Sequence, residues 1–177
     1  GKSTLLNCLT GIAPEYTGGR LAGTVRHQGR DITNCSIRER SPFMGIMLQN
    51  DETQLFTDQV WEEIVFGLEN WNLPPGEIQD LAQAALLEFN LVGQKDWGIR
   101  QLSAGQKQRL LLACLLTRQP DLLLLDEPFA FLDTAGVHLL LDLLQQRVQQ
   151  GQAVLLIEHR LELLRGACDR AYRIEAG

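Results

Sequence analysis

A chain of 177 residues with 45% hydrophobic side chains is the size of one domain and can bury a substantial core. Its formal net charge of -6 and pI near 5.1 exclude a basic nucleic-acid footprint, so no nucleic-acid partner is expected. The longest apolar runs, such as Leu122 to Leu125 and Ala153 to Ile157, fall far short of the roughly 20 residues that a membrane-spanning helix needs. Cys8, Cys35, Cys114 and Cys168 are scattered, without the close pairs of metal or redox motifs, and read as reduced thiols. No charged leader followed by an apolar stretch opens the chain, which makes the cytoplasm the default location.

In chain order, Gly1-Lys2-Ser3-Thr4 leads into a helix carried by Leu5, Leu6, Cys8 and Leu9 and stopped by Gly11. Thr24 to His27 and Met44 to Leu48 read as short strands bounded by turn residues, with a polar loop between them. From Val60 to about Arg118 the apolar period is helical: Val60, Ile64 and Leu68 form one face, and Leu81, Ala85, Leu86 and Phe89 another. Pro74 and Pro75 mark a helix start, and a further helix opens near Ser103 and ends before Gln119-Pro120. Leu122 to Asp126 and Ala153 to Glu158 are apolar runs ending in acids, as expected of strands buried on both faces of a parallel sheet. A helix from Thr134 to about Gln150, closed by Gly151, is long enough for the right-handed crossover between them. The expected fold class is therefore α/β, with a helical insertion between about Gln49 and Arg118.

Three constellations carry chemistry. Gly1-Lys2-Ser3-Thr4 is the tail of the phosphate-loop pattern, in which backbone N–H groups and a lysine wrap phosphate oxygens; taken alone it is also an ordinary turn before a helix. Asp126-Glu127 closes a leucine strand, and two adjacent carboxylates belong at the exposed carboxyl end of such a strand, where α/β sheets bind ligands. There Asp126 would hold Mg2+ and Glu127 would orient or deprotonate a water. Leu102 to Gln106 puts small residues and an amide at a helix start, whose unpaired N–H groups suit an anion. Gln49 and His159 each follow an apolar strand and would reach the same sheet edge, Gln49 as a ligand of Mg2+ or water and His159 as a donor to developing phosphate charge. Either could equally be a turn residue. His27 and His138 read as ordinary surface residues.

Together these residues resemble the ATP-binding subunits of ABC transporters over essentially the whole chain. Gly1 to Thr4 is similar to the end of the family's Walker A loop, Gln49 to its Q-loop and Leu102 to Gln106 to its signature motif. Leu122 to Glu127 is similar to Walker B, Leu132-Asp133 to the D-loop and His159 to the switch histidine. The resemblance implies a P-loop NTPase with a RecA-like parallel-sheet core over about 1–48 and 119–177, and a helical signature subdomain over about 49–118. It implies ATP and Mg2+ as cofactors, with ATP sandwiched between this domain and a second ATPase domain, identical, paralogous or fused. Gly1, Lys2, Ser3 and Thr4 would hold the phosphates, with Ser3, Gln49 and Asp126 at the metal. Glu127 would be the base, with His159 and Gln49 at the γ-phosphate. Ser103, Ala104, Gly105, Gln106 and Asp133 would serve the nucleotide across the interface.

Two departures stand out. Ala104 replaces a glycine of the family signature and would crowd a backbone that needed positive φ. The first part of Walker A and its strand are missing, so the polypeptide reads as a fragment, expected by itself to hydrolyse ATP feebly or not at all. The segments Leu48 to Phe56 and Val60 to Asn70, with Glu158-His159-Arg160-Leu161, further resemble the ATPases of energy-coupling-factor importers of vitamins and metal ions. That likeness implies an integral membrane component as partner, faced by Leu55, Phe56 and Trp61, and a peripheral position on the cytoplasmic face of the cell membrane. Trp61 and Phe66 suit the helical core equally well. The rival expectations are a soluble ABC-type ATPase of DNA repair or chromosome organisation, and a regulatory domain that binds nucleotide without turnover.

Overall fold

Four consecutive leucines can be buried only where both faces of a strand are covered, and the architecture is organised around that requirement. The computed structural model describes residues 1–48, 54–71 and 73–174. Its elements run α1 (Lys2–Thr10), α2 (Ile12–Glu15), β1 (Arg26–His27), β2 (Arg30–Asp31), α3 (Ile37–Arg40), β3 (Met44–Met47), α4 (Val60–Glu69), α5 (Pro75–Glu88), α6 (Ala104–Thr117), β4 (Leu122–Asp126), α7 (Thr134–Gln149) and β5 (Ala153–Ile157). β3, β4 and β5 form a parallel sheet in that order, with Leu125 opposite Met47 on one side and Leu156 on the other.

Side chains alternate across β4 as the strand period requires. Leu124 packs with Leu6 of α1, Ile32, Met44 and Ile157 on one face. Leu123 and Leu125 join the larger cluster of α4, α5, α6 and α7 on the other, and all three leucines are fully buried. The helical stripe Val60, Ile64 and Leu68 lies in that larger cluster, as its period predicts. β5 departs from expectation. Ala153 is exposed and Val154 to Leu156 are only partly buried, because among the described strands β5 pairs with β4 on one edge alone.

The segment read as one strand at Thr24 to His27 is a small hairpin. Arg26-His27 pairs antiparallel with Arg30-Asp31 across Gln28 and Gly29, both at positive φ, the turn geometry whose twist matches a tight hairpin. His27 is no ordinary surface residue either. Its ring stacks on Phe43 at 4.2 Å between centroids, and Nε2 lies 3.3 Å from an Asp121 carboxylate oxygen. His138 is exposed, as expected.

The end of α1 depends on a residue that periodicity does not reveal. Arg40 is 1% exposed, and its guanidinium donates to five main-chain carbonyls: Cys35 through Nε, Cys8 and Leu9 through one terminal nitrogen, Ile32 and Thr33 through the other. Cys8 and Leu9 belong to the last turn of α1, whose carbonyls have no partner within the helix. Gly11 follows at φ +86, and a Cβ there would stand 3.1 Å from Arg40 Nε, so conformation and space both require glycine. Arg40→Leu should orphan these carbonyls and cost roughly 3 kcal/mol in urea unfolding, and Arg40→Lys should not rescue it, because one ammonium cannot reach all five.

Candidate functional site

The carboxyl edge of the sheet gathers most of the residues singled out from the sequence. β4 ends at Asp126, and Glu127 continues the ladder for one step by donating its N–H to Ile157 O at 2.9 Å. Glu127 then turns into the left-handed region, φ +53, a conformation unusual for a side chain of this type and one that takes the chain out of the sheet. α1 begins against the same edge with Gly1 as its N-cap. Ser3 Oγ donates to Asp126 Oδ2 at 3.2 Å. Lys2 Nζ lies 3.2 Å from His159 Nδ1 and 3.0 Å from Nε2, and His159 Nε2 lies 3.1 Å from Glu127 Oε1. Because lysine has only donors and an ionised carboxylate only acceptors, the consistent arrangement has Nε2–H donating to Glu127 and Nδ1 accepting from Lys2. Thr4 is exposed one position further along α1.

Asp126 is 5% exposed, and burial raises its pKa above the ordinary aspartate value. The Ser3 hydrogen bond opposes that shift, the Glu127 charge adds to it, and Lys2 and His159 oppose it. His159 is held from its other side by Glu158, whose Oε1 accepts the N–H groups of His159 and Arg160 at 2.8 and 3.0 Å. The imidazole therefore projects from a pinned turn.

The signature segment is built differently from a bare helix start. Ser103 N-caps α6, its Oγ accepting from Gln106 N–H at 3.3 Å while Gln106 Oε1 accepts from Ser103 N–H at 2.8 Å. Two of the donors expected to be open to an anion are thus used inside the motif. Ala104 is the first helical residue and is not among the side chains at positive φ, so the methyl group meets no backbone penalty there. Gly105 is tight for a reason internal to the chain: a Cβ would fall 2.8 Å from Phe131 O. Asp133 caps α7 by accepting Gly136 N–H at 2.7 Å.

Gln49 lies outside the described residues, so its approach to this edge stays an expectation. Two residues assigned no role at this edge from the sequence hold the loop that follows Glu127. Gln108, 1% exposed, donates to Pro128 O and accepts from Phe131 N–H, and Arg160 donates to Phe129 O. An amide three and four places before Leu111 and Leu112, on the apolar face of α6, was the available signal.

The profile of the family described as ABC transporter matches residues 1–130. A "Putative ABC transporter ATP-binding protein" of Methanosarcina acetivorans is 39% identical over the whole chain, which covers 29% of that relative. One from Saccharolobus solfataricus is 32% identical over the whole chain and 33% of its own length. The structure of cbiO1 from Clostridium perfringens, described as part of the ABC transporter complex cbiONQ, superposes with a TM-score of 0.78 at 31% identity, over 96% of this chain and 66% of that one. The P-loop α/β fold and this edge define an ATP-binding domain, and the chain belongs to the ABC transporter family. It spans about a third of the length of these curated relatives.

A carboxylate whose folded pKa is raised favours folding fully only below its unfolded pKa, and that contribution is lost as pH rises through the folded value. Asp126→Asn should therefore raise the Tm of the nucleotide-free protein at pH 7, an advantage that disappears below about pH 4, where the unfolded aspartate is itself protonated.

Proposed function

We propose that this domain binds ATP with Mg2+ and hydrolyses it as one half of a two-domain sandwich. The observation that carries the reading is the chain of contacts from Lys2 through His159 to Glu127 beside the Ser3–Asp126 pair. A phosphate group would replace His159 as the partner of Lys2, aided by the first N–H groups of α1. Among the described residues no group of three or more His, Cys, Asp or Glu side chains is placed to hold a metal. The oxygen pair of Ser3 and Asp126 fits Mg2+, a hard cation that commonly completes its shell with substrate phosphates and water. Bound there, Mg2+ would neutralise charge on the β- and γ-phosphate oxygens. Glu127 would take the proton of the attacking water, and His159 would turn its Nε2–H from Glu127 Oε1 to the γ-phosphate. The half-site at Ser103 to Gln106, with Asp133, would face nucleotide held by the second ATPase domain. The presence of both Glu127 and His159 favours turnover over a silent regulatory domain. In the full-length protein, Glu127→Gln should lower ATP turnover roughly a hundredfold or more with nucleotide affinity retained; unchanged turnover would sink the assignment.

The whole protein is best read as the ATPase of an importer of the energy-coupling-factor type, peripheral on the cytoplasmic membrane face. Support comes from the likeness to cbiO1 and from an apolar surface after the Q-loop position. No helix among the described residues is long and apolar enough to cross a membrane. Phe56 is 74% exposed and its ring lies 6.2 Å from that of Phe66. The buried Glu63 fixes this strip by accepting the N–H groups of Phe56 and Thr57 at 2.9 and 2.7 Å. Trp61 is instead half-buried against the helical core, with Lys95 Nζ 4.2 Å above its ring, and offers less surface. Phe56→Glu with Phe66→Glu should abolish co-purification with the integral membrane partner and leave nucleotide binding unchanged.

A further inference from the structure

The loop Pro128 to Phe131 joins the two half-sites, and its backbone is held by side chains from both. Gln108 Nε2 donates to Pro128 O at 2.6 Å, and Phe131 N–H donates to Gln108 Oε1 at 3.2 Å, so one amide closes both ends of the loop. Gly105, in the turn of α6 just before Gln108, packs directly under Phe131 O. Arg160, next to His159, donates to Phe129 O at 2.5 Å, and the Phe129 side chain is fully buried in the main core. Within the loop, Ala130 N–H donates to the main-chain carbonyl of Glu127 and Leu132 N–H to that of Phe129, which ties the loop to the Glu127 backbone on one side and brings it to the Asp133 cap on the other. A displacement of the α6 start therefore moves the residues that follow Glu127 unless the Gln108 hydrogen bonds to the loop are broken.

We propose that Gln108 is a positioning residue for ATP hydrolysis: it couples the signature end of α6, which serves the partner domain's nucleotide, to the Glu127 and His159 edge, which serves this domain's own. The proposal rests on the hydrolytic reading above and adds a route by which engagement at one half-site sets the geometry at the other. Gln108 touches no reacting atom; it acts through the loop.

In the full-length protein, Gln108→Met keeps the side-chain length and removes both hydrogen bonds. It should lower kcat roughly tenfold or more, with the Kd for a fluorescent ATP analogue within about twofold of wild type, read well below the variant's Tm. Gln108→Glu keeps the acceptor for Phe131 N–H and regains the donor to Pro128 O only when its carboxyl is protonated. Its kcat relative to wild type should therefore rise as pH falls from about 8 to about 6, and it carries the test if the methionine variant does not fold. Wild-type kcat in the folded Gln108→Met variant, or nucleotide affinity lost in step with turnover, would overturn the coupling role. Wild-type turnover that is absent or indifferent to Glu127→Gln would overturn the hydrolytic reading instead. Amide exchange then decides for Gln108. A non-hydrolysable ATP analogue should slow exchange from Phe129 to Leu132 in the wild type and not in Gln108→Met; equal slowing in both, or none in the wild type, would overturn the proposal.

Discussion

The burial of β4 on both faces is the constraint from which the rest of the structure follows. Leu123 and Leu125 require the helical layer of α4 to α7, and Leu124 requires α1 on the opposite face. A strand covered on both sides has one place for carboxylates, its carboxyl end, and there Asp126 and Glu127 emerge. Because α1 must cover Leu124, its first residues arrive at the same edge, where Ser3 meets Asp126 and Lys2 meets His159 without a dedicated scaffold. Asp126 still carries part of the cost of this placement, since burial raises its pKa beside a second acid.

Buried polar side chains decide how the apolar layers are connected. Arg40 satisfies the last carbonyls of α1, Glu63 holds the backbone leading to the exposed Phe56, and Gln108 clasps the loop after Glu127. Each replaces regular backbone pairing where the chain leaves helix or strand, the places where buried carbonyls and N–H groups would otherwise lack partners. Their distribution follows the fold: one behind α1, one beside the exposed Phe56, one against the loop between Glu127 and Asp133. In the tightly packed interior, shape changes at any of these joints have few soft degrees of freedom to dissipate into.

The local geometry of the signature segment follows from the chain's own contacts. Its serine and glutamine form a reciprocal cap that would stabilise α6 in any protein, and its glycine is required by the carbonyl of Phe131 irrespective of a ligand. Ser103 and Ala104 are exposed at the start of this helix. The alanine at the second small position is accommodated because it begins the helix with an ordinary φ.

The amino-acid sequence by itself determined the α/β class, the order of strands and helices from Met44 onward, the stripe on α4, and the residues at the sheet edge. Those features are local: apolar period, caps, and carboxylates at the end of a leucine run. Tertiary structure alone decided that Lys2 meets His159, which is 157 positions away, that His27 stacks on Phe43, that β5 is half covered, and that Arg40, Gln108 and Arg160 each hold distant backbone. Such long-range polar contacts leave no periodic trace, because a single buried amide or guanidinium is specified by the unpaired backbone groups it meets in space and not by its neighbours in the chain.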